Sequence, residues 1–362
     1  MTTISNGITV SISNTPQANN DLFTSAQTGL TDNALGVVYL NVMANDLGGA
    51  AKTLYSIDSG TEATTALEQT ALLTQDTTRA EAVSADYSAH GAHLWITSDG
   101  KVGYDASHLD SAWLSNSFNT VGYAQDSFTY AIRLGNGTLS WATAYVDIAP
   151  PAPVVTLAHD TGVSAADHIT SDSTLAVSGL AHGATVQYSS DNGAHWTSSF
   201  GAVEGVNTVQ VRQTDVAGNV SAATSFSFTL DTAAAAPGVA LATDSGSSAS
   251  DHVTNVGTLT LGGVESGATV QYSIDSGAHW TSSFSAVEGV NTVQVRQTDV
   301  AGNVSAATSF SFTLDTSAAA PGVALATDSG SSATDHVTNV GTLTLGGVES
   351  GATVQYSIDS GA

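Results

Sequence analysis

From Pro151 to the end of the chain, apolar and polar positions alternate with a period of two. Leu259 and Leu261 alternate with Thr258 and Thr260, and Val270, Tyr272 and Ile274 with Gln271, Ser273 and Asp275. Val293 and Val295 alternate with Gln294 and Arg296, and Phe310, Phe312 and Leu314 with Ser311 and Thr313. A period of two places one side-chain set on each face of a strand, whereas a helix would repeat every 3.6 residues. Turn formers separate the runs: Gly262-Gly263, Asp275-Ser276-Gly277, Glu288-Gly289 and Ala301-Gly302-Asn303. The pattern predicts about seven short strands per unit, folded as a two-sheet sandwich with Trp280 filling the space between the sheets.

The unit recurs. Asp160, Asp244 and Asp328 stand 84 residues apart, as do Trp196 and Trp280, and Arg212 and Arg296. The stretch from Pro237 returns from Pro321 with one change, Ser250 to Thr334. Such self-similarity predicts a tandem array. The third copy stops at Gly361-Ala362 inside the repeat, which reads as a piece of a longer protein. Half a sandwich at 321–362 is not expected to be stable alone, because it lacks the strands that would bury Val354, Tyr356 and Ile358. The linkers Ala233–Pro237 and Ser317–Pro321 are short and end in proline, which favours a stiff rod.

Residues 1–149 do not follow this period and predict one larger β domain. Asn136-Gly137 between two apolar runs predicts a two-residue hairpin. Residues 50–92 are expected as a loop with a short helix from about Thr64 to Leu73. Pro150-Pro151-Ala152-Pro153 then marks a linker. The expected domains are 1–149, 150–232, 233–316 and a truncated 317–362, all of them β.

Two family resemblances follow from these residues. ATVQYSIDSGAHWTSSF, EGVNTVQVRQTDVAGNVS and FSFTLDT, with DVAGNVS at Asp215–Ser221 and Asp299–Ser305, resemble the bacterial Ig-like repeats of large surface adhesins and biofilm proteins. Ala18-Asn19-Asn20-Asp21, Asn41–Asp46, Asp99–Tyr104 and Asp126–Tyr130 resemble the cadherin-like VCBS-type repeats of bacterial adhesins, from which the chain departs by a longer insertion at 50–92. The resemblance implies all-β tandem Ig-like sandwiches after a larger cadherin-like domain. It also implies an extracellular or cell-surface location reached by type I secretion, as in RTX-type adhesins. The start, MTTISNGITVSISNTPQ, has neither the basic nor the apolar region of a cleavable signal peptide.

Charge narrows the function classes. Acids number 32 against 6 bases, a formal net charge of −26. Six basic side chains cannot neutralise a phosphate track, so no nucleic-acid partner is expected. No apolar run approaches the roughly 18 residues of a membrane-spanning helix, and the absence of Cys rules out a disulfide scaffold. The acids belong to the repeat: the second copy holds Asp244, Asp251, Glu265, Asp275, Glu288, Asp299 and Asp315 against one base, Arg296.

Calcium is the expected cofactor, because hard cations take six to eight oxygen ligands and relieve repulsion between carboxylates. The candidate ligands in the first copy are Asp160, Asp167, Asp215, Asn219 and Asp231. In the second they are Asp244, Asp251, Asp299, Asn303 and Asp315, and in the third Asp328 and Asp335. The first domain offers Asn20, Asp21, Asn45, Asp46 and Asp126. Asp315 precedes a linker and is placed to share a site with the next copy. The competing reading is that each Asp or Asn is a turn former bonded to its own backbone. His90 and His93 are the close histidine pair, read as surface or cross-strand residues rather than metal ligands. No nucleophile elbow, phosphate loop or zincin motif is present, so no catalytic residue is expected.

The resulting expectation is a non-enzymatic adhesive stalk segment, stiffened by calcium at domain junctions, for cell adhesion or biofilm formation. Its partners would be a host-cell or matrix surface ligand, polysaccharides included, and further repeats of the same chain. Two alternatives stay open: a carbohydrate-binding module using Trp95, Trp113, Trp141, Tyr123 and Tyr145, or spacer domains of a larger secreted enzyme.

Overall fold

The fold is described from a computed structural model covering residues 2–5, 8–11, 17–59, 72–76 and 86–359. It is all-β apart from short helical turns, and no helix among the described residues is long and apolar enough to cross a membrane. The chain divides into two compact units: Met1–His159 with Asp172–Leu230, and Asp160–Ser171 with Asp231–Ala362.

In the first unit, Thr2–Ser5 (β1) and Ile8–Ser11 (β2) pair as a hairpin. Two four-stranded sheets follow. One joins Asp21–Phe23 (β3), Leu139–Ile148 (β10), Ala124–Arg133 (β9) and Thr53–Asp58 (β5), in that order. The other joins Val37–Leu40 (β4), Val102–Asp105 (β8), His93–Ile96 (β7) and Asp86–Tyr87 (β6). Leu40, Ile57, Leu94, Ile96, Val102, Tyr104, Phe128, Tyr130, Ile132, Val146 and Ile148 form one buried core. The expected insertion at 50–92 is corrected at its ends: Tyr55, Ser56 and Ile57 are buried in strand β5, whose pattern marks a core strand. The helix expected at Thr64–Leu73 falls outside the described residues except for its last two.

The Asn136-Gly137 hairpin forms, but its tip is longer than two residues. Leu134 N–H donates to Thr138 O and Gly137 N–H to Leu134 O, leaving Gly135, Asn136 and Gly137 as a three-residue loop with Gly137 at φ 88°.

The first repeat continues with Val154–Leu157 (β11), Ile169–Thr170 (β12), Leu175–Ser178 (β13), Thr185–Ser189 (β14), Gly205–Thr214 (β15) and Thr224–Leu230 (β16). β11 pairs with β13, and β15 lies between β14 and β16. Val155, Val209 and Val211 centre its core, packed by Leu175, Val177, Tyr188, Phe200 and Phe226.

The second unit holds the second repeat in the same arrangement. Gly238–Leu241 (β17) pairs with Leu259–Gly262 (β19). Val253–Thr254 (β18), Thr308–Leu314 (β22), Gly289–Thr298 (β21) and Thr269–Ser273 (β20) form the four-stranded sheet. Six strands are therefore regular, and the remaining pairing is reduced to isolated bridges, Tyr272 to Thr281 and Thr298 to Val304. Val293, Val295 and Phe312 are buried, with Phe284 edge-on to Phe312 at 6.3 Å.

Two expectations about this repeat are corrected. Trp280 does not sit between the sheets. It lies half-buried on the outer face, where the Arg296 guanidinium covers its ring at 4.0 Å and its indole N–H donates to Gly277 O. The phenylalanines already fill the interior, and the polar side of β21 offers a cation for the ring face. Ile274 does not continue the buried face of β20 but is 75% exposed. Ser273 turns the chain there, its hydroxyl donating to Asp275 and accepting from Gly277 N–H.

In the third copy, Gly322–Leu325 (β23) pairs with Leu343–Gly346 (β24), while Tyr356 and Ile358 are exposed. These are the residues expected to lack partner strands.

Candidate functional site

The DVAGN turn is built the same way in both complete repeats. Asp299 Oδ1 accepts the Asn303 backbone N–H at 2.8 Å, and Asn303 Nδ2 donates to Asp299 Oδ2 at 2.8 Å. Asp215 and Asn219 repeat these bonds at 2.8 and 3.1 Å. The sequence pattern of an acid, a glycine and an amide thus fixes one buried carboxylate in the turn after the long strand of each complete repeat.

In the second unit this turn meets the exit of the preceding repeat. Asn303 Nδ2 also donates to Asp231 O at 2.7 Å. The carboxylates of Asp231, Glu265 and Asp299 gather so that one oxygen of each lies within 4.8 Å of the others. Of these, Asp231, Asp299 and Asn303 are legible as candidates from sequence. Glu265 is not, because its signal is weak: the equivalent residues are Ala181 and Glu349. Glu265 also accepts the linker N–H of Ala235 at 2.7 Å, and Glu349 does the same for Ala319.

The loop Asp160–Ser171 completes this region. Val163 N–H donates to Val300 O at 3.0 Å and Thr161 Oγ1 to Ala301 O at 2.8 Å. Gly162 has φ 95°, and a Cβ placed on it would fall 2.0 Å from Val300 O. Glycine is required there for both conformation and approach.

The same turn in the first unit has a second acid that sequence did not single out. Asp147, next to last in β10, stands at the position equivalent to Asp231 and is buried, as is Asp215. Burial raises the Asp147 pKa, a bond from Gln125 opposes the rise, and the charge of Asp215 adds to it. Ser25 donates to Asn219 Oδ1 at 2.9 Å, and His182 N–H to Phe118 O at 2.7 Å.

The other repeat acids lie elsewhere. Asp160, Asp244 and Asp328 each accept a backbone N–H from His168, His252 and His336 at 3.0 to 3.1 Å. Asp167, Asp251 and Asp335 each accept an N–H two residues on, at 3.1 Å, as local turn formers do. Among the described residues, the second oxygen, Oδ1, of Asp160, Asp244 and Asp328 is buried without a hydrogen-bond partner in every copy. An unpaired buried carboxylate oxygen is costly, so its recurrence marks a place suited to a cation. Asp315 lines a cavity with Ser245, Asn255 and Glu349, placing it beside the loop that carries Asp244.

In the first domain, Asn20, Asp21, Asn45 and Asp46 come together around one hydroxyl. Tyr130 Oη lies 2.8 Å from Asp21 Oδ2, 2.8 Å from Asn19 O and 3.1 Å from Asp46 Oδ1. Asn45 Nδ2 donates to Asn20 O, and Asn20 Oδ1 accepts Thr143 N–H. One hydroxyl proton cannot satisfy all these acceptors. Burial, with the neighbouring Asp46 charge adding to it against the Tyr130 bond, pushes the Asp21 carboxyl up to about 6. Asp46 is raised by burial as well, against bonds from Asn19 and Tyr130 and the charge of Lys52. Asp126 stands apart: it is fully buried, bonded by Tyr104 Oη at 2.6 Å and His90 N–H at 3.1 Å, and burial raises it too.

Of the aromatic residues weighed for sugar binding, Trp141 and Tyr145 lie half-buried on one face of β10. Trp95 is buried, and Trp113 stacks on His90 at 3.7 Å. His90 and His93 do not converge, and His93 instead meets His108 and Asp105.

Residues 147–232 and 233–316 each match the family described as bacterial Ig-like domain. A comparison with curated proteins finds none that matches. Among solved structures, Drosophila N-cadherin EC1-3 aligns over 82% of this chain and 98% of its own, at 10% identity and a TM-score of 0.21. A 1.5-MDa bacterial ice-binding adhesin aligns over 60% and 80%, at 21% identity and a TM-score of 0.22. The BSP domain of a biofilm associated protein aligns over 62% and 54%, at 11% identity and a TM-score of 0.17. Superpositions with TM-scores this low carry no argument, and the family matches stand alone: residues 147–232 and 233–316 are similar in tandem to the bacterial Ig-like domain.

Proposed function

We propose that the chain is a non-enzymatic stalk segment of a bacterial adhesin, at the cell surface or secreted, with calcium bound between successive repeats. Its partners would be further repeats of the same chain and a surface ligand of a host cell, matrix or polysaccharide. The observation that carries this reading is the meeting of Asp231, Glu265 and Asp299, acids drawn from the end of one repeat and from the body and turn of the next. Two unit charges 4.8 Å apart repel by about 3 kcal/mol at an effective dielectric constant of 20. Arg296, the one base of the second copy, is held on Trp280 and bonded to Gln271, so it does not offset that repulsion.

The donor set fits a hard cation: Asp231, Glu265 and Asp299 each offer a carboxylate oxygen, with no nitrogen or sulfur among them. A bound ion would tie the linker to both repeats, since Glu265 already holds Ala235 and Asn303 already holds Asp231. Extracellular calcium modules work at dissociation constants of roughly 10⁻⁴ to 10⁻³ M, and the same range is expected here. The buried Oδ1 atoms of Asp160, Asp244 and Asp328, and the Asp21–Asp46 group, are further places where the same ion would relieve a cost.

Calorimetric titration of the full chain with calcium tests this. Asp299→Asn combined with Glu265→Gln is expected to remove at least one bound ion while the fold persists. An unchanged stoichiometry and affinity would reject the site.

A further inference from the structure

We infer that His93, Asp105 and His108 form a binding site for a divalent first-row transition ion of the zinc class, separate from the calcium positions. The backbone assembles the three residues. His93 begins β7 directly opposite Asp105, the last residue of β8. Asp105 then caps the helical turn Ala106–His108, its Oδ1 accepting Ser107 N–H at 2.9 Å, and this turn folds His108 back over its carboxylate. The result is one ligand atom from each side chain within 4.8 Å of the others.

The chemistry of the set selects the ion. Calcium takes oxygen ligands, whereas two imidazoles and a carboxylate suit zinc, nickel or copper. Tetrahedral zinc with ligands at 2.0 to 2.2 Å holds neighbouring donors about 3.4 Å apart. His108 Nδ1 and Asp105 Oδ2 stand at 2.9 Å, close to that separation. The ion would replace the hydrogen bond between them, with the His108 ring keeping its proton on Nε2. His93 needs a change of tilt: its ring now lies parallel to His108 at 3.9 Å, with Tyr87 edge-on at 4.6 Å. A rotation of the His93 ring out of this stack turns a nitrogen toward the other two donors.

Surroundings also fit. Asp105 is 3% exposed, so the anchoring ligand is held by the sheet, while the His108 side chain is 48% exposed and leaves room for water as a fourth ligand. The bound ion would pin two strands and the turn that follows them. Elsewhere the histidine–carboxylate contacts are pairs, such as His195 with Asp191 and His279 with Asp275, both at 2.6 Å. Those pairs lack a third ligand among the described residues.

The test uses the untagged full chain in saturating calcium, titrated with cobalt(II) as a spectroscopic probe and then with zinc. The expected result is one equivalent of a visible absorption band of low-coordinate cobalt, displaced by zinc. His93→Ala and His108→Ala should each weaken zinc binding by roughly tenfold or more, the range seen when a site loses a supporting group. His90→Ala, which removes the ring stacked on Trp113, should change nothing. Circular dichroism of the variants checks that the sheets persist, and His108 is exposed enough to be removed without disturbing the core. Absence of both the band and zinc binding would overturn the proposal, as would a band that survives both His93→Ala and His108→Ala.

Discussion

Replacing Gln297 by alanine should free the linker from the second repeat. Gln297 is completely buried, an unusual place for an amide. Its Nε2 donates to Ala235 O at 2.7 Å and Gly263 O at 3.1 Å, and its Oε1 accepts Glu265 N–H at 2.9 Å. The side chain therefore satisfies three backbone groups, one of them in the linker. Its removal strands all three, at about 1 to 3 kcal/mol for each group left unpaired. With water entering part of the space, a total of about 3 kcal/mol is expected. At 1.36 kcal/mol per tenfold, that corresponds to roughly a hundredfold faster opening. Hydrogen exchange at the Glu265 amide reads this directly. Gln213→Ala is an internal replicate, because Gln213 makes the same bonds to Pro151, Gly179 and Ala181. Exchange accelerated by less than about threefold in both variants would refute the idea that these amides lock the linkers.

Three further outcomes are expected. Gly162→Ala must move backbone away from Val300 O and break the Val163 and Thr161 bonds, at a cost of at least about 2 kcal/mol; unchanged exchange at the Val163 amide would contradict this. The Asp21 carboxyl is raised from 3.8 to about 6 in the folded chain, so its contribution is complete below pH 3.8 and lost as pH rises through about 6. In chelator, the first domain should therefore gain stability on acidification from pH 7.5 to 5, read as slower corrected exchange at Phe128 and Tyr130, and Asp21→Asn should reduce the gain, leaving the part owed to Asp46 and Asp126, which burial also raises. Trp280 and Arg296 should show a coupling of about 0.5 to 1 kcal/mol in a double-mutant cycle on unfolding, because the stack is half-exposed; strictly additive effects would leave the stack without energetic content.

Strand periodicity made the sandwiches legible, since a half-buried strand writes its two faces into alternate residues. It misled where a side chain is decided by its partner rather than its polarity. Trp280 is apolar enough for a core, yet the phenylalanines fill that space and Arg296 claims its ring. Ile274 keeps the alternation in sequence although Ser273 has already turned the chain. At the candidate calcium positions, the turn acids Asp299 and Asp231 were readable because DVAGN and the pre-linker Asp recur. Glu265 was not, because the equivalent residue in the first copy is alanine and the residue becomes a ligand candidate only when the linker folds back. Gln213 and Gln297 were hidden for a similar reason: a polar residue in a strand reads as solvent-facing until the backbone groups it satisfies are in place. His108 depends on a helical turn that returns it to Asp105, and spacing alone does not show that return.

Calcium bridging between repeats is tested most directly by small-angle scattering of the full chain, in millimolar calcium and again in chelator. If ions join the acids at the repeat junctions, calcium increases the maximum dimension and narrows the distance distribution to that of a stiffer particle, and Asp299→Asn with Glu265→Gln reduces the difference. Superimposable profiles in calcium and chelator would contradict the bridging mechanism.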